Sequence, residues 1–373
     1  MGSTGEKNMQ ELYETDERFS ELKTILPPHA KCFVVAGGAY RGSKLQETMS
    51  AFQTVVFDGY SPNPKYEEIK AGVRLFQKNG CNCILAVGGG SAIDTAKCVK
   101  LYADKDPDSD FLLTEVSERA KAIPLIAVPT TAGTGAESTR YSILYKNGEK
   151  TTVAEAAGLP DVAMLWEGWL ERLPQRQKVA TMLDALCQAI ESAWSVKSND
   201  ASLSLALMAI EKIAKFGDRY ILDSYDPAVA KEIMRASNLA GQAIQITSTT
   251  APHAMCYKIT TLFGIPHGMA VALTLPCLWE KMLSEKKSND PRGRAYNEET
   301  FRKIAAAYGC GTAEEAIAKF SRNLVRYGVK MPRPTEEQLE IMVNAVAIPK
   351  LSNHPAPLFK EDLKEIYKKS LGT

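Results

Sequence analysis

The chain has 373 residues, 45% hydrophobic and 24% charged, with a formal net charge of +1. That length exceeds one compact core and suits two domains, and the composition excludes a disordered or fibrous protein. Near-neutral charge gives no electrostatic ground for a nucleic-acid or membrane-surface partner. No apolar run approaches the roughly 20 residues that span a bilayer. The opening Met1–Lys7 stretch lacks the apolar core of a signal peptide. The eight cysteines are scattered without a CxxC pair, so reduced thiols in a cytoplasmic protein are expected.

The first part of the chain alternates short apolar runs with helical patterns. Cys32–Val35 reads as a strand, Lys44–Phe52 as a helix and Thr54–Phe57 as a second strand. Tyr66–Lys78 carries Ile69, Val73 and Phe76 at helical spacing; Cys83–Val87 and Pro124–Val128 read as further strands. Continuous apolar strands separated by helices predict a parallel sheet covered on both faces. That is a Rossmann-like α/β domain, assigned to residues 1–174. From Gln175 strand-like runs nearly vanish, while Ala201–Lys215, Pro227–Thr247 and Glu336–Ala347 keep helical periodicity. Residues 175–373 are therefore expected to form an all-α domain.

The third strand runs into Gly88-Gly89-Gly90-Ser91-Ala92-Ile93-Asp94. Glycines let the backbone approach a ligand, and the following helix offers free N–H groups and a positive dipole end to an anion. Ser91 or Asp94 is expected to help cap that helix. A pyrophosphate suits the loop, although a tight strand-to-helix turn alone would look the same. The fourth strand ends in Pro129-Thr130-Thr131-Ala132-Gly133-Thr134-Gly135-Ala136-Glu137. Its hydroxyls, from Thr130, Thr131 and Thr134, suit cofactor phosphate or ribose.

Of four histidines, His253 and His267 fall in the helical part, each preceded by proline. Asp184 and Gln188, four apart on a predicted helix, share a face. Two imidazoles and a carboxylate suit Fe²⁺ or Zn²⁺ with a position open to a substrate oxygen. Two solvated imidazoles at helix starts fit the same residues. Cys187 and Cys256 lie beside these positions and are expected to pack as small apolar side chains.

Taken in order, Gly88–Lys97, Pro129–Glu137, Asp184–Gln188 and His253–His267 resemble the motifs of the iron-containing (group III) alcohol dehydrogenases. The resemblance runs through most of the chain and implies the dehydroquinate synthase-like architecture, an NAD(H) or NADP(H) cofactor, and a divalent metal on Asp184, His253 and His267. The fourth ligand of that family is usually histidine; Gln188 stands here and would coordinate through its carbonyl oxygen. Tyr257, one turn after His253, replaces a histidine thought to relay a proton. A phenol is a poorer proton carrier at neutral pH than imidazole, so water or a ribose hydroxyl is expected to supply the proton.

Within the family, Asp184–Ser192, Thr249–Ala254 and Tyr257 resemble the branch that reduces phosphonoacetaldehyde, with sulfoacetaldehyde reductases as neighbours. Either substrate needs a cationic or N–H-rich subsite for its anion. Arg140, Lys150 and Lys258 are candidates; Arg140 is preferred because it closely follows the Thr130–Glu137 loop. Lys150 is also placed with the cofactor-binding set. Gly37 stands where NAD-selective relatives often carry an acid, which leaves NADPH use open, with Arg41 or Lys44 available to a 2′-phosphate. A homodimer acting on a small anionic aldehyde is expected. The alternative is a general primary alcohol or semialdehyde dehydrogenase of the same family; more remote are a dehydroquinate-synthase-like lyase and a non-catalytic nucleotide-binding protein.

Overall fold

A computed structural model describes residues Gln10–Gly372, and the Met1–Lys7 stretch lies outside them. The chain divides into two units: residues through Thr131 with Ala136–Trp169, and Ala132–Gly135 with Leu170 onward.

The first unit holds β1 (Glu11–Glu14), α1 (Leu22–Ile25), β2 (Lys31–Ala36), α2 (Lys44–Met49), β3 (Gln53–Phe57), α3 (Tyr66–Asn79), β4 (Cys83–Gly88), α4 (Gly90–Leu101), α5 (Glu118–Lys121), β5 (Leu125–Pro129), β6 (Ser142–Lys146), β7 (Glu149–Val153) and β8 (Val162–Leu165). Six strands form a parallel sheet in the order β1-β8-β5-β4-β2-β3. The expected parallel sheet is thus present. Its central strands are apolar throughout because both faces are covered. Phe33, Val35, Ile84 and Ala86 enter one core, and Cys32, Val34, Leu85 and Val87 the other.

The helix expected over Lys44–Phe52 ends at Met49. The Phe52 N–H donates to the Met49 carbonyl at 3.0 Å, turning the chain into β3. Outside the sheet, β6 and β7 form an antiparallel hairpin. Its turn residues Asn147 and Gly148 both have positive φ, the geometry that Asn-Gly favours in two-residue hairpins.

The second unit is helical: α6 (Gln175–Trp194), α7 (Asp200–Leu222), α8 (Pro227–Thr247), α9 (Ala251–Phe263), α10 (His267–Ser284), α11 (Arg294–Ala307), α12 (Ala313–Arg326), α13 (Glu336–Asn344) and α14 (Lys360–Leu371). Asp226 caps α8, accepting from the Ala228 and Val229 N–H groups, with Pro227 in the first turn. From Val179 to Trp194 every residue of α6 is buried, and α6 packs against α7, α8 and α10. A helix apolar all round is a core helix. Asp184, Gln188, Glu191 and Ser192 are nonetheless buried on it. Polar groups placed there need partners or a ligand. No helix among the described residues is long and apolar enough to cross a membrane.

Candidate active site

In the first unit β4 ends at Gly88 and α4 begins at Gly90, with Gly89 as N-cap. A Cβ on Gly88 would lie 2.5 Å from the Ala92 Cβ, so this turn needs glycine. The Thr130 N–H donates to the Gly88 carbonyl at 3.0 Å, and a Cβ on Gly89 would lie 3.3 Å from Thr131 Oγ1. Thr130 and Thr131 thus lie against the Gly88-Gly89 turn at the start of α4. The strand order reverses between β2 and β4, so Gly37, just past β2, and Gly88 flank a topological switch point. The Tyr60 hydroxyl lies close to both, 3.2 Å and 3.6 Å from where their Cβ atoms would be. Tyr60 follows β3 in an irregular stretch and belongs to no motif, so nothing in the sequence marks it.

The expected capping by Ser91 or Asp94 does not occur. Both lie inside α4, whose N-cap makes no side-chain hydrogen bond. Ser91 Oγ accepts from the Asn63 N–H at 3.3 Å, and Asp94 Oδ2 from the Ile143 N–H at 3.1 Å. Asp94 lies four residues after Gly90, just past the first turn of α4, and its carboxylate serves β6 instead. Burial raises its pKa to about 6, against the pull of Lys97, the Ile143 N–H and Lys150. Burial likewise lowers Lys97 to about 8, opposed by Asp94 and Glu137; its Nζ donates to the Tyr141 carbonyl at 2.7 Å. Arg140 is half-buried, its guanidinium 4.9 Å from the Tyr141 ring centroid and 3.2 Å from the Tyr141 hydroxyl. Lys150 is exposed on β7, opposite Tyr145. Arg41 pairs with Asp58, and Lys44 with Glu47 at 3.2 Å; both are exposed pairs of little energetic weight.

In the second unit α6 carries Asp184, Gln188 and Glu191 at positions i, i+4 and i+7 of one face. α9 and α10 bring the histidines to it. Between α8 and α9, Ser248 has φ +63° and ψ 177°, a conformation that non-glycine residues rarely adopt. The Asn353 side-chain amide secures this turn, donating to the carbonyls of Thr247 and Thr249 at 2.9 and 3.0 Å. Thr250 is the N-cap residue of α9, and its N–H and hydroxyl donate to Glu191 Oε2 at 2.7 and 3.0 Å. Trp194 Nε1 donates to Thr250 Oγ1 at 2.9 Å. The other Glu191 oxygen, Oε1, lies 2.5 Å from His253 Nδ1, leaving His253 Nε2 3.2 Å from Asp184 Oδ1. α10 approaches α6 at Gly268, where a Cβ would lie 2.0 Å from the Ala180 carbonyl oxygen. That approach sets His267 Nε2 4.0 Å from Asp184 Oδ1.

One ligand atom from each of Asp184, His253 and His267 lies within 4.8 Å of the others, the geometry of a metal centre. Gln188 Oε1 is buried without a hydrogen-bond partner, while its Nε2 donates to the Thr134 carbonyl at 3.3 Å. An orphaned carbonyl oxygen one turn from Asp184 is what a further ligand looks like before its ion is added. The carboxylate of Glu191 fixes the His253 tautomer that offers Nε2, a common support for a metal-bound imidazole. The residues present fit a divalent cation. Burial alone would lower the His253 pKa, but Glu191 and Asp184 overcome it and hold the imidazole up at about 10.

Glu191, Thr250, Trp194 and Gly268 are absent from the predicted site. Only Glu191 carried a signal, its place on the Asp184–Gln188 face. Cys187 and Cys256 are buried as expected. Cys256 does more than pack, since its Sγ donates to the His253 carbonyl at 3.2 Å and lies 3.5 Å from His267 Nδ1. Tyr257 is half-buried, with Lys258 Nζ 5.6 Å from its ring centroid. Thr134 belongs to the second unit, where its carbonyl serves Gln188.

The family model described as iron-containing alcohol dehydrogenase matches residues 10–166, and the C-terminal model of the Fe-containing alcohol dehydrogenase family matches residues 178–371. The probable alcohol dehydrogenase EutG of Escherichia coli is 35% identical over 220 residues, 58% of this chain and 55% of that protein. The match thus spans little more than half of that relative. A phosphonoacetaldehyde reductase of Streptomyces viridochromogenes is 29% identical over 309 residues, 80% of this chain and 78% of that protein. The crystal structure of a sulfoacetaldehyde reductase from Bifidobacterium kashiwanohense in complex with NAD⁺ superposes with a TM-score of 0.87. It is 27% identical, covering 98% of this chain and 97% of that one.

Proposed function

This chain belongs to the iron-containing alcohol dehydrogenase family, and from that membership we propose that it reduces a short anionic aldehyde to its alcohol with NAD(H) or NADP(H) and Fe²⁺ or Zn²⁺. The observation that carries this reading is the convergence of Asp184, His253 and His267, with Gln188 on the Asp184 face of α6 and its Oε1 buried without a hydrogen-bond partner. When bound, the metal supplies Lewis-acid polarisation of the aldehyde oxygen and the nicotinamide supplies the hydride.

The chain's own residues hold and orient. Asp184, Gln188, His253 and His267 form the ligand set, and Glu191 keeps the His253 Nδ1 proton so that Nε2 faces Asp184. Gly37, Gly88, Gly89, Gly90, Thr130 and Thr131 let a pyrophosphate approach the start of α4, with Ser91, Asp94 and Lys150 as supporting groups of that unit. Tyr257 provides a hydroxyl to substrate or cofactor, and the proton comes from water or a ribose hydroxyl. Arg140 is assigned to the substrate's anionic group. The phosphonoacetaldehyde and sulfoacetaldehyde reductases among the relatives support a two-carbon aldehyde bearing a tetrahedral anion. A reducing cytoplasm is the compartment proposed, in keeping with eight scattered cysteines that include no CxxC pair. The assembly proposed is a homodimer.

The test is NADH and NADPH oxidation after reconstitution with Fe²⁺ or Zn²⁺, using phosphonoacetaldehyde, sulfoacetaldehyde, succinic semialdehyde and butanal. Steady coenzyme consumption with an anionic aldehyde is expected. Equal rates with butanal would remove the charged subsite, and no consumption with any aldehyde would remove the reductase.

A further inference from the structure

The amide of Gln188 is held at one end only. Its Nε2 donates to the Thr134 carbonyl at 3.3 Å, and its Oε1 is buried without a hydrogen-bond partner. This orientation is dictated, because turning the amide over would set two acceptor oxygens against each other. The Thr134 carbonyl is itself fixed by backbone packing. Gly133 passes α6 so closely that a Cβ would lie 2.5 Å from the Thr181 Cβ. Gly135, with φ +59°, passes α8 with 2.5 Å between its would-be Cβ and the Gly241 Cα. The chain therefore presents an oxygen at position 188, not a nitrogen.

Resting on the metal-centre reading above, we infer that Gln188 is a selectivity residue: its fixed carbonyl oxygen lowers the centre's preference for Zn²⁺ over Mn²⁺. With Gln188 the ligands are two oxygens and two imidazole nitrogens, whereas a histidine there would make three nitrogens. Imidazole suits Zn²⁺, while carboxylate and carbonyl oxygens suit harder ions such as Mn²⁺. Zn²⁺ keeps its general advantage over Mn²⁺ at any such site, so the ratio of affinities is what Gln188 changes. The Thr134 backbone acts through Gln188 as a positioning group.

The experiment measures Mn²⁺ and Zn²⁺ dissociation constants on the metal-free protein by chelator competition, with far-UV circular dichroism to confirm the fold. Gln188→His should raise the Zn²⁺-over-Mn²⁺ ratio by on the order of tenfold, and Gln188→Glu, which keeps an oxygen, should not raise it. An unchanged ratio in Gln188→His, or an equal rise in both variants, overturns the inference. Should Gln188→His not fold, Gln188→Leu decides: it should weaken Mn²⁺ by a larger factor than Zn²⁺, and equal factors overturn the inference. Wild-type protein that binds neither ion would instead overturn the metal-centre reading itself.

Discussion

Glu191 Oε1 lies 2.5 Å from His253 Nδ1, so a fully buried carboxylate stands behind the ring whose other nitrogen faces Asp184. The same carboxylate holds Thr250, the N-cap residue of α9, through its N–H and its hydroxyl. One side chain thus fixes both the start of the helix and the orientation of the imidazole it carries. A chain of hydrogen bonds runs from Trp194 through Thr250, Glu191 and His253 to Asp184.

Replacing Glu191 with Gln should weaken Zn²⁺ binding by about 10- to 100-fold while the protein stays folded. The amide retains one acceptor, but its NH₂ group then opposes a donor, either the His253 ring or Thr250. Chelator competition measures the loss. Wild-type affinity in a folded Glu191→Gln protein would show that His253 is oriented by other means.

The His253 imidazole, held up at about 10, makes metal binding dependent on pH. A metal must displace the proton on Nε2, so affinity should fall as pH drops below that value, by about tenfold per pH unit for one proton. The metal-free fold responds with the opposite sign. Because the folded value lies above the unfolded one, about 6.5, this group stabilises fully below pH 6.5 and ceases to do so as pH rises through about 10. Zn²⁺ dissociation constants at about pH 6 and about pH 8 check the first statement; identical values would rule out the displaced proton.

Gly268→Ala should separate α10 from α6. The added Cβ would fall 2.0 Å from the Ala180 carbonyl oxygen and 2.6 Å from the Asp184 Cβ, and both neighbours belong to a buried helix. Overpacking of this kind costs about 1–3 kcal/mol. Zn²⁺ affinity should fall with the thermal midpoint, since His267 is the adjacent residue. A variant with unchanged midpoint and affinity would contradict the close approach.

His354 is fully buried, neither ring nitrogen has a hydrogen-bond partner, and burial lowers its pKa to about 3. The unfolded chain, with a histidine near 6.5, binds more protons between these values, so stability is lost as pH falls through that window. The slope reaches about 1.4 kcal/mol per pH unit. His354→Phe keeps an aromatic ring against Trp194, whose centroid is 6.2 Å away, and removes the titration. Urea unfolding of both proteins at about pH 7 and about pH 4.5 compares the losses. The variant should lose less, and an equal loss would exclude His354 as the cause.

Much of the architecture is legible in residue order. Alternation within Cys32–Val35 and Cys83–Val87 places residues on two apolar faces, which is enough to predict a buried parallel sheet. The expected limits of α8, Pro227 and Thr247, coincide with those observed, because Asp226 caps the helix and Pro227 suits its first turn. The shared face of Asp184 and Gln188 follows from helical spacing alone. The Asn147-Gly148 turn is equally local, an Asn-Gly hairpin signal that goes unread among the weakly apolar residues beside it.

What the tertiary structure decided is which partner each buried polar group receives. Nothing near Glu191 in sequence indicates that its carboxylate meets His253, 62 residues away. Gly268 reads as an ordinary glycine until α6 is laid against it, and Asp94 reads as a helix cap until β6 claims its carboxylate. Helical and strand periodicity arise from backbone geometry over a few residues, so sequence determines them directly. The partner of a buried polar side chain is chosen by the packing of distant segments. For this reason sequence supplied the ligands Asp184, His253 and His267 only as members of a pattern, and the fold brought them within reach of one another.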